Sequence, residues 1–252
     1  MAGLFLCSLG RPRPGIPDII RTKGRNIMST KLKALSLGLL VFLATAGFEA
    51  VNASAAVSGH FTHDATTNHA TILGTANGSP HDLVFREEGS EAAGTTCTHA
   101  DLHGQAPAKA VTSVTVTPAF TGCATTSSST WGETVHTNGC AFILSSSSTT
   151  HGTVTIECPT NQAIEITHPN CTLKVPAQHP SPTRLTGGIV YDTTVEGGKH
   201  TLTPTVTVKK ITVHFEGGIC VFLGTSHNFE MNGALTVAGF DTAGERVNIT
   251  HT

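Results

Sequence analysis

Apolar and polar residues alternate with a period of two along most of the chain beyond residue 55, a pattern typical of half-buried β-strands. The clearest case is residues 140–158, CAFILSSSSTTHGTVTIEC. Its apolar residues share one face of each of two strands, namely Cys140, Phe142 and Leu144, then Val154, Ile156 and Cys158. A hairpin folded at the midpoint of this segment, inside polar residues 145–152, places the two thiols opposite each other. The pattern therefore predicts a disulfide between Cys140 and Cys158.

The same alternation predicts short antiparallel strands along the whole region. We place them at residues 70–75, 82–87, 96–103, 111–121, 140–145, 153–158, 163–167, 171–175, 189–195, 205–215, 219–223, 234–241 and 246–250. Turn signals separate them at residues 77–78, 138–139, 187–188, 197–198, 217–218, 232–233 and 242–244. No segment keeps a 3.6-residue apolar period, so we expect almost no helix here. The fold class is all-β, an antiparallel β-sandwich, with two small β lobes divided near residues 124–129 as the alternative.

An apolar run at residues 34–48 is too short to span a membrane comfortably but has the length of a signal-peptide core. Two lysines precede it, and Ala53-Ser54-Ala55 supplies the small residues of a cleavage site. We therefore predict a helical signal peptide at residues 28–55 and a secreted all-β domain at 56–252 with no membrane span. Residues 1–27 read as a mis-called or disposable extension before Met28, and a genuine long leader is the alternative.

The domain that remains after cleavage has 197 of the 252 residues and six cysteines. An even number of cysteines behind a signal peptide predicts three disulfides, and none of the spacings is the C-x-x-C of a zinc knuckle. Six cysteines allow fifteen pairings, among which the sequence alone does not choose. With Cys140 paired to Cys158, the simplest remainder joins Cys97 to Cys123 and Cys171 to Cys220.

The charge of the mature chain is acidic. It keeps eight Lys and Arg against fifteen Asp and Glu, a net charge of −7 with neutral histidines. Affinity for nucleic acid depends mainly on Lys and Arg contacts to phosphate, so we do not expect a nucleic-acid partner. All fourteen histidines lie in this part of the chain, so its net charge should change sign in mildly acidic solution.

The candidate metal ligands are His99, Asp101 and His103. On a strand these residues point to one face, and two of them could bind zinc or copper together with a third ligand from an adjacent strand. The alternative, which we favour, is that they form the solvated face of the strand, because an alternating strand predicts polar residues there. We therefore expect no cofactor unless zinc or copper binds at this face.

Catalytic motifs are absent from the sequence. There is no G-x-S-x-G nucleophile elbow and no H-E-x-x-H, and the serines cluster in low-complexity segments. We assign no catalytic residue and expect a protein that is not an enzyme, with an extracellular hydrolase of unrecognised site as an alternative.

The order of landmarks resembles a type of uncharacterised, secreted, six-cysteine all-β protein of soil actinobacteria. The matching landmarks are Cys97-Thr98, residues 114–117, Phe120-Thr121-Gly122-Cys123, Asn138-Gly139-Cys140, residues 154–159, residues 171–178, residues 217–220 and residues 233–237. The resemblance covers essentially the whole mature region and implies secretion, a β architecture and the six-cysteine framework. It implies no activity. We therefore expect a secreted structural or binding protein with an extracellular or cell-surface partner, and a metal-binding protein is the first alternative.

Overall fold

The computed structural model describes residues 59–77, 83–90, 94–125, 128–218 and 220–252, and these belong to one compact unit. The predicted signal peptide and the extension before it lie outside the described residues. The fold is all-β and antiparallel, as predicted. The strands are β1 Phe61–His63, β2 Ala70–Asn77, β3 Leu83–Glu87, β4 Gly94–Ala106, β5 Ala110–Val111, β6 Ser113–Thr125, β7 Ser128–Gly132, β8 Thr134–His136, β9 Ala141–Ser146, β10 His151–Glu157, β11 Ala163–His168, β12 Cys171–Pro176, β13 Thr186–Glu196, β14 Lys199–Glu216, β15 Thr225–Ala234, β16 Thr236–Phe240, β17 Arg246–Val247 and β18 Ile249–His251. Within the described part of the chain, no helix has the length and apolar character needed to cross a membrane.

Most of these strands belong to one sheet that closes on itself. Eight strands close the ring in one half of this sheet, which we call the upper half. Their hydrogen-bonded order is β2, β4, β6, β9, β10, β13, β14, β16 and back to β2. Alternation sends every second side chain inward, so Ile72 on β2, Leu102 on β4 and Val116 on β6 are buried together. The two layers of the predicted sandwich are therefore opposite walls of one continuous sheet.

The lower half of the sheet has different strands beside β14. The β13 strand pairs with β14 only as far as Thr186 opposite Lys209, and β12 takes its place from Lys174 opposite His214 onward. Beyond β12 follow β11 and then β8. On the other side of β14, β15 joins it to β3, which pairs with the beginning of β4.

Gln178 connects β10 to β14 at the point where β13 no longer pairs with β14 and β12 does not yet do so. Its backbone makes two hydrogen bonds with Ile156 of β10, and its side-chain amide reaches Thr212 of β14. The amide NH₂ donates to the Thr212 carbonyl at 3.1 Å, and the amide oxygen accepts from the Thr212 N–H at 2.9 Å. The buried Gln178 side chain thus replaces the neighbouring strand that β14 lacks at this point.

A small second sheet, which we call the end sheet, covers the upper end. It has the order β18, β1, β5. Its inward residues are apolar or histidine: Phe61 and His63 on β1, and Ile249 and His251 on β18. Phe61 packs edge-on against Tyr191 of β13, with ring centroids 5.1 Å apart.

Three disulfides staple the sheet, and they are the pairs expected from the sequence. Cys140–Cys158 closes the β9–β10 hairpin, in which Leu144 is opposite Val154 as the alternation requires. Cys97–Cys123 joins directly opposed residues of β4 and β6. Cys171–Cys220 links the beginning of β12 to the connection between β14 and β15.

Three predictions of local structure are wrong. Gly187 and Gly188, predicted as a turn, lie inside β13, where they pair with Val208 and Thr207. The predicted strand at residues 219–223 is instead a single 3₁₀ turn, Val221–Leu223, whose side chains point to solvent. Asn232 and Gly233, predicted as a turn, lie inside β15, where they pair with Thr207 and Val206. In addition, Ser128–Gly132 forms β7, where no strand was predicted.

Candidate functional site

The three candidate metal ligands lie on the outer face of β4, as the alternation predicts. His99, Asp101 and His103 are all exposed. The intervening residues Ala100 and Leu102 are buried in the core. The strand therefore presents a row of three ionisable side chains to solvent.

The strands on either side of this row place no His, Cys, Asp or Glu directly opposite it. Opposite His99, Asp101 and His103, β2 carries Asn77, Thr75 and Leu73, and β6 carries Thr121, Ala119 and Thr117. Among the described residues, no group of three or more His, Cys, Asp or Glu side chains is placed to hold a metal ion. The zinc or copper site stays a prediction; opposite Asp101 and His103 the neighbouring strands carry only hydroxyl-bearing or apolar residues.

Next to this row the outer face of the sheet forms a concave groove with a volume of about 410 Å³, which we call the outer groove. Its residues are Leu73 and Thr75 of β2, Thr236, Ala238 and Phe240 of β16, and Glu196 and Arg246. The floor is continuous, because Thr75 pairs with Thr236 and Leu73 with Ala238. Since neighbouring strands lie about 4.8 Å apart, the β4 row borders one side of the floor. The groove is large enough for a small molecule or a protruding side chain.

An ion pair forms the other side of the outer groove. Arg246 Nη2 lies 2.6 Å from Glu196 Oε2 and 2.9 Å from the hydroxyl of buried Thr201. The pair neutralises both charges, and buried Arg246 Nε has no hydrogen-bond partner among the described residues. The groove therefore combines a largely uncharged floor with a polar rim.

The second exposed feature is the 3₁₀ turn Val221–Leu223, which we call the apolar tip. Its three side chains are 51%, 91% and 63% exposed, with Phe222 the highest. Gly217 and Gly224, on either side, have positive φ angles of 74° and 65°, which turn the chain outward and back. Cys220, directly before the turn, is cross-linked to Cys171. The apolar tip is therefore held outside the core by covalent and backbone constraints.

A serine of β9 contacts a histidine of the end sheet, and this contact bears on the hydrolase alternative. Ser146 Oγ lies 2.8 Å from His251 Nε2, and His251 Nδ1 lies 3.0 Å from the Thr149 carbonyl oxygen. In the neutral ring Nδ1–H donates to that carbonyl, so Nε2 is an acceptor for the Ser146 hydroxyl. The single Ser146 hydrogen also has the Ser148 carbonyl oxygen as an acceptor, at 3.1 Å. This is the geometry of a nucleophile and its base, oriented by a main-chain carbonyl instead of a carboxylate.

The surroundings of this pair do not form a substrate site. The N–H groups of Ser147 and Ser148 both donate to the His151 carbonyl, so neither is available to stabilise an oxyanion. Gly59 packs so closely against Ser146 Oγ that a Cβ there would clash. The pair therefore fastens the β9–β10 turn to the end sheet, and the hydrolase stays an alternative without a site at these residues.

Acid is expected to loosen the end sheet through His251. Burial lowers the pKa of His251, and nearby His60 adds to this effect, while the hydrogen bond to Thr149 opposes it. A histidine whose pKa is lowered by folding stabilises the fold above its unfolded pKa of about 6.5, and this stability is lost as the pH falls through the folded pKa. The free energy of unfolding, measured by urea denaturation, should therefore decrease from pH 7.5 to pH 5.5.

The matched variants for this prediction are His251→Gln and His200→Gln. His251→Gln removes the buried titrating ring, so its free energy of unfolding should depend less on pH than that of the unmodified protein. His200 is exposed, and His200→Gln makes the same substitution outside the end sheet. Equal pH dependence in all three proteins would show that His251 does not couple protonation to stability.

A partly buried carboxyl, that of Glu133, lies at the lower end of the sheet. Burial raises the pKa of Glu133, and a hydrogen bond to the Thr95 side chain and the charge of His168 partly offset this shift. Glu133 Oε2 is buried without a hydrogen-bond partner. Thr95 also lines an apolar internal cavity of about 50 Å³. The cavity is too small for a typical organic ligand, so we assign it no binding role.

Sequence reasoning identified the β4 row but missed the outer groove and the apolar tip. The groove is formed by residues more than 100 positions apart, such as Leu73 and Arg246, and no local pattern joins them. The tip has a local signal, since glycines flank its apolar residues on both sides. Comparison with known proteins adds no relative: no protein-family model, no curated protein and no solved structure matches the chain.

Proposed function

We propose that this chain is a secreted protein with a structural or binding role outside the cell, and that it contacts its extracellular or cell-surface partner through the apolar tip. The observation that carries the proposal is the exposure of Phe222, 91% of whose surface is open to solvent at the end of a cross-linked turn. Scattered exposed apolar residues are ordinary, but three in succession on a protruding turn are typical of an interaction site.

The position of the apolar tip favours binding over a role in folding. None of its side chains is buried, so they contribute little to the core. The segment from Gly217 to Gly224 contains no ionisable side chain other than the disulfide-bonded Cys220, so a partner that covers it need not desolvate a charge. The disulfide limits the motion of the tip, which lowers the entropy lost on binding.

The proposed location outside the cell has two supports. Three disulfides cross-link the domain, and disulfides persist mainly in oxidising compartments. The sequence before the domain has the charge, apolar core and small residues of a signal peptide. Cross-links would also protect a fold that is exposed to proteases and to changes of pH.

Replacing Phe222 with serine should release the protein from its partner. The full chain is expressed in an actinobacterial host, and the fraction that sediments with the cell envelope is compared with the fraction in the medium. We expect the unmodified protein in the envelope fraction and most of the Phe222→Ser protein in the medium. Val195→Ser is the matched control, because Val195 is 66% exposed but lies on the β13–β14 hairpin.

The control separates the tip from general surface hydrophobicity. If Val195→Ser releases the protein as strongly as Phe222→Ser, the tip is not a specific contact. If Phe222→Ser and the unmodified protein divide equally between the two fractions, the proposed function is wrong.

A further inference from the structure

The apolar tip and the outer groove are complementary surfaces carried by the same chain. The tip is exposed, and Phe222 is more exposed than either of its neighbours. The groove is concave, holds about 410 Å³, and has Leu73, Ala238 and Phe240 in its lining. An aromatic side chain that enters such a groove can pack on the exposed apolar groups and the Phe240 ring.

The two surfaces are too far apart to meet within one molecule. The tip ends at Leu223 and the groove begins at Thr236, and β15 lies between them. The ten residues of β15 span about 30 Å. A tip can therefore reach only the groove of another copy.

Charge does not oppose this contact. The tip is uncharged, and the ionic groups that line the groove, Glu196 and Arg246, already form an ion pair. Asp101 and His103 lie on the adjacent strand β4 and are exposed to solvent, so they can remain hydrated at the edge of the contact. Insertion of Phe222 thus covers apolar surface on both partners without burying an unpaired charge.

We propose that the partner of the apolar tip is the outer groove of a second copy of this chain, so that copies associate head to tail. This inference rests on the proposed function and names its partner. The contact uses different surfaces on the two molecules, so every bound copy still has one free tip or groove. Such a heterologous contact continues into chains or rings instead of stopping at a dimer.

Complementary variants test the contact. Phe222→Ser removes the tip and leaves the groove, whereas Ala238→Arg fills the groove and leaves the tip. Molar mass is measured by analytical ultracentrifugation over a range of protein concentrations. We expect the unmodified protein to grow beyond a dimer, each variant alone to remain monomeric, and an equimolar mixture of the two to form a one-to-one dimer and nothing larger.

Three controls accompany the mixture. Ala119→Arg places the same substitution on the exposed outer face of β6, away from the groove lining, and should assemble like the unmodified protein. Val195→Ser should do the same. Thr75→Arg fills the groove from an exposed position, and it replaces Ala238→Arg if that variant unfolds.

The outcomes separate this inference from the proposed function. A monomeric unmodified protein at every concentration, or a mixture that stays monomeric, overturns the second-copy partner. If Phe222→Ser still releases the protein from the cell envelope, the tip binds something else and the proposed function survives. If Phe222→Ser leaves envelope retention unchanged, the proposed function fails, whether or not the molar mass changes.

Discussion

Replacing Cys171 and Cys220 with alanine should cause the largest loss of stability among the three disulfides. This bridge joins residues 49 positions apart, whereas Cys140–Cys158 spans 18. Because a cross-link stabilises mainly by restricting the unfolded chain, the chain-entropy model gives about 4 kcal/mol for the longer loop and about 3 kcal/mol for the shorter one. The measurement is guanidinium unfolding of the oxidised double-alanine variants against the unmodified protein.

The intermediate bridge supplies the control. Cys97–Cys123 spans 26 positions, so its double-alanine variant should fall between the other two. A smaller loss for the Cys171–Cys220 variant than for the Cys140–Cys158 variant would contradict the loop-length account. The Cys171–Cys220 variant also frees the apolar tip, so its envelope retention and self-association should weaken while the fold persists.

The Cys140–Cys158 disulfide shows what a local sequence pattern can predict in this chain. Cys140 and Cys158 share a hairpin whose strands, turn and cysteine faces all lie within residues 140–158, and the structure reproduces that register. Cys97 and Cys123 are also close in sequence. Only the Cys140–Cys158 pair follows from the rule that residues on the same face of adjacent strands meet, whereas Cys97–Cys123 was the simplest pairing of the cysteines that remained.

The closure of the sheet could not be predicted in the same way. It depends on β2 pairing with β16, a contact between residues such as Leu73 and Ala238 that are 165 positions apart. Alternation identifies which face of each strand is buried but carries no information about its neighbours. The partners of His99, Asp101 and His103 were therefore unknown, although their outward direction was correctly predicted.

The predictions for the apolar tip and for β15 were wrong because apolar residues were read as a buried strand and polar residues as a sign that no strand was present. Residues 219–223 read as a strand on their apolar character, yet the described residues Val221–Leu223 are exposed. Polar residues fill much of Thr225–Ala234, yet this segment pairs on both sides, with β14 and with β3. Long-range pairing outweighed the local propensity in β15, whereas at the tip the apolar residues form an exposed 3₁₀ turn.

Gln178→Leu should destabilise the fold by about 3 kcal/mol, because it leaves two buried backbone groups of Thr212 without partners, each costing roughly 1–3 kcal/mol. The amide of Gln178 satisfies both groups where β14 has no neighbouring strand. Leucine has a similar size but cannot form either hydrogen bond. Gln162 is exposed, and Gln162→Leu should change the free energy of unfolding by less than about 0.5 kcal/mol.

Gln178→Glu distinguishes lost hydrogen bonds from altered packing. At pH 7 a carboxylate can accept from the Thr212 N–H but cannot donate to the Thr212 carbonyl, and its charge is buried, so this variant should be at least as unstable as Gln178→Leu. A protonated carboxyl has one donor and one acceptor and restores both bonds. Relative to the unmodified protein at the same pH, Gln178→Glu should therefore recover stability towards pH 4, and Gln178→Leu should not. If both variants keep a constant deficit between pH 7 and pH 4, the contribution of Gln178 is packing and not the completion of the β14 hydrogen bonds.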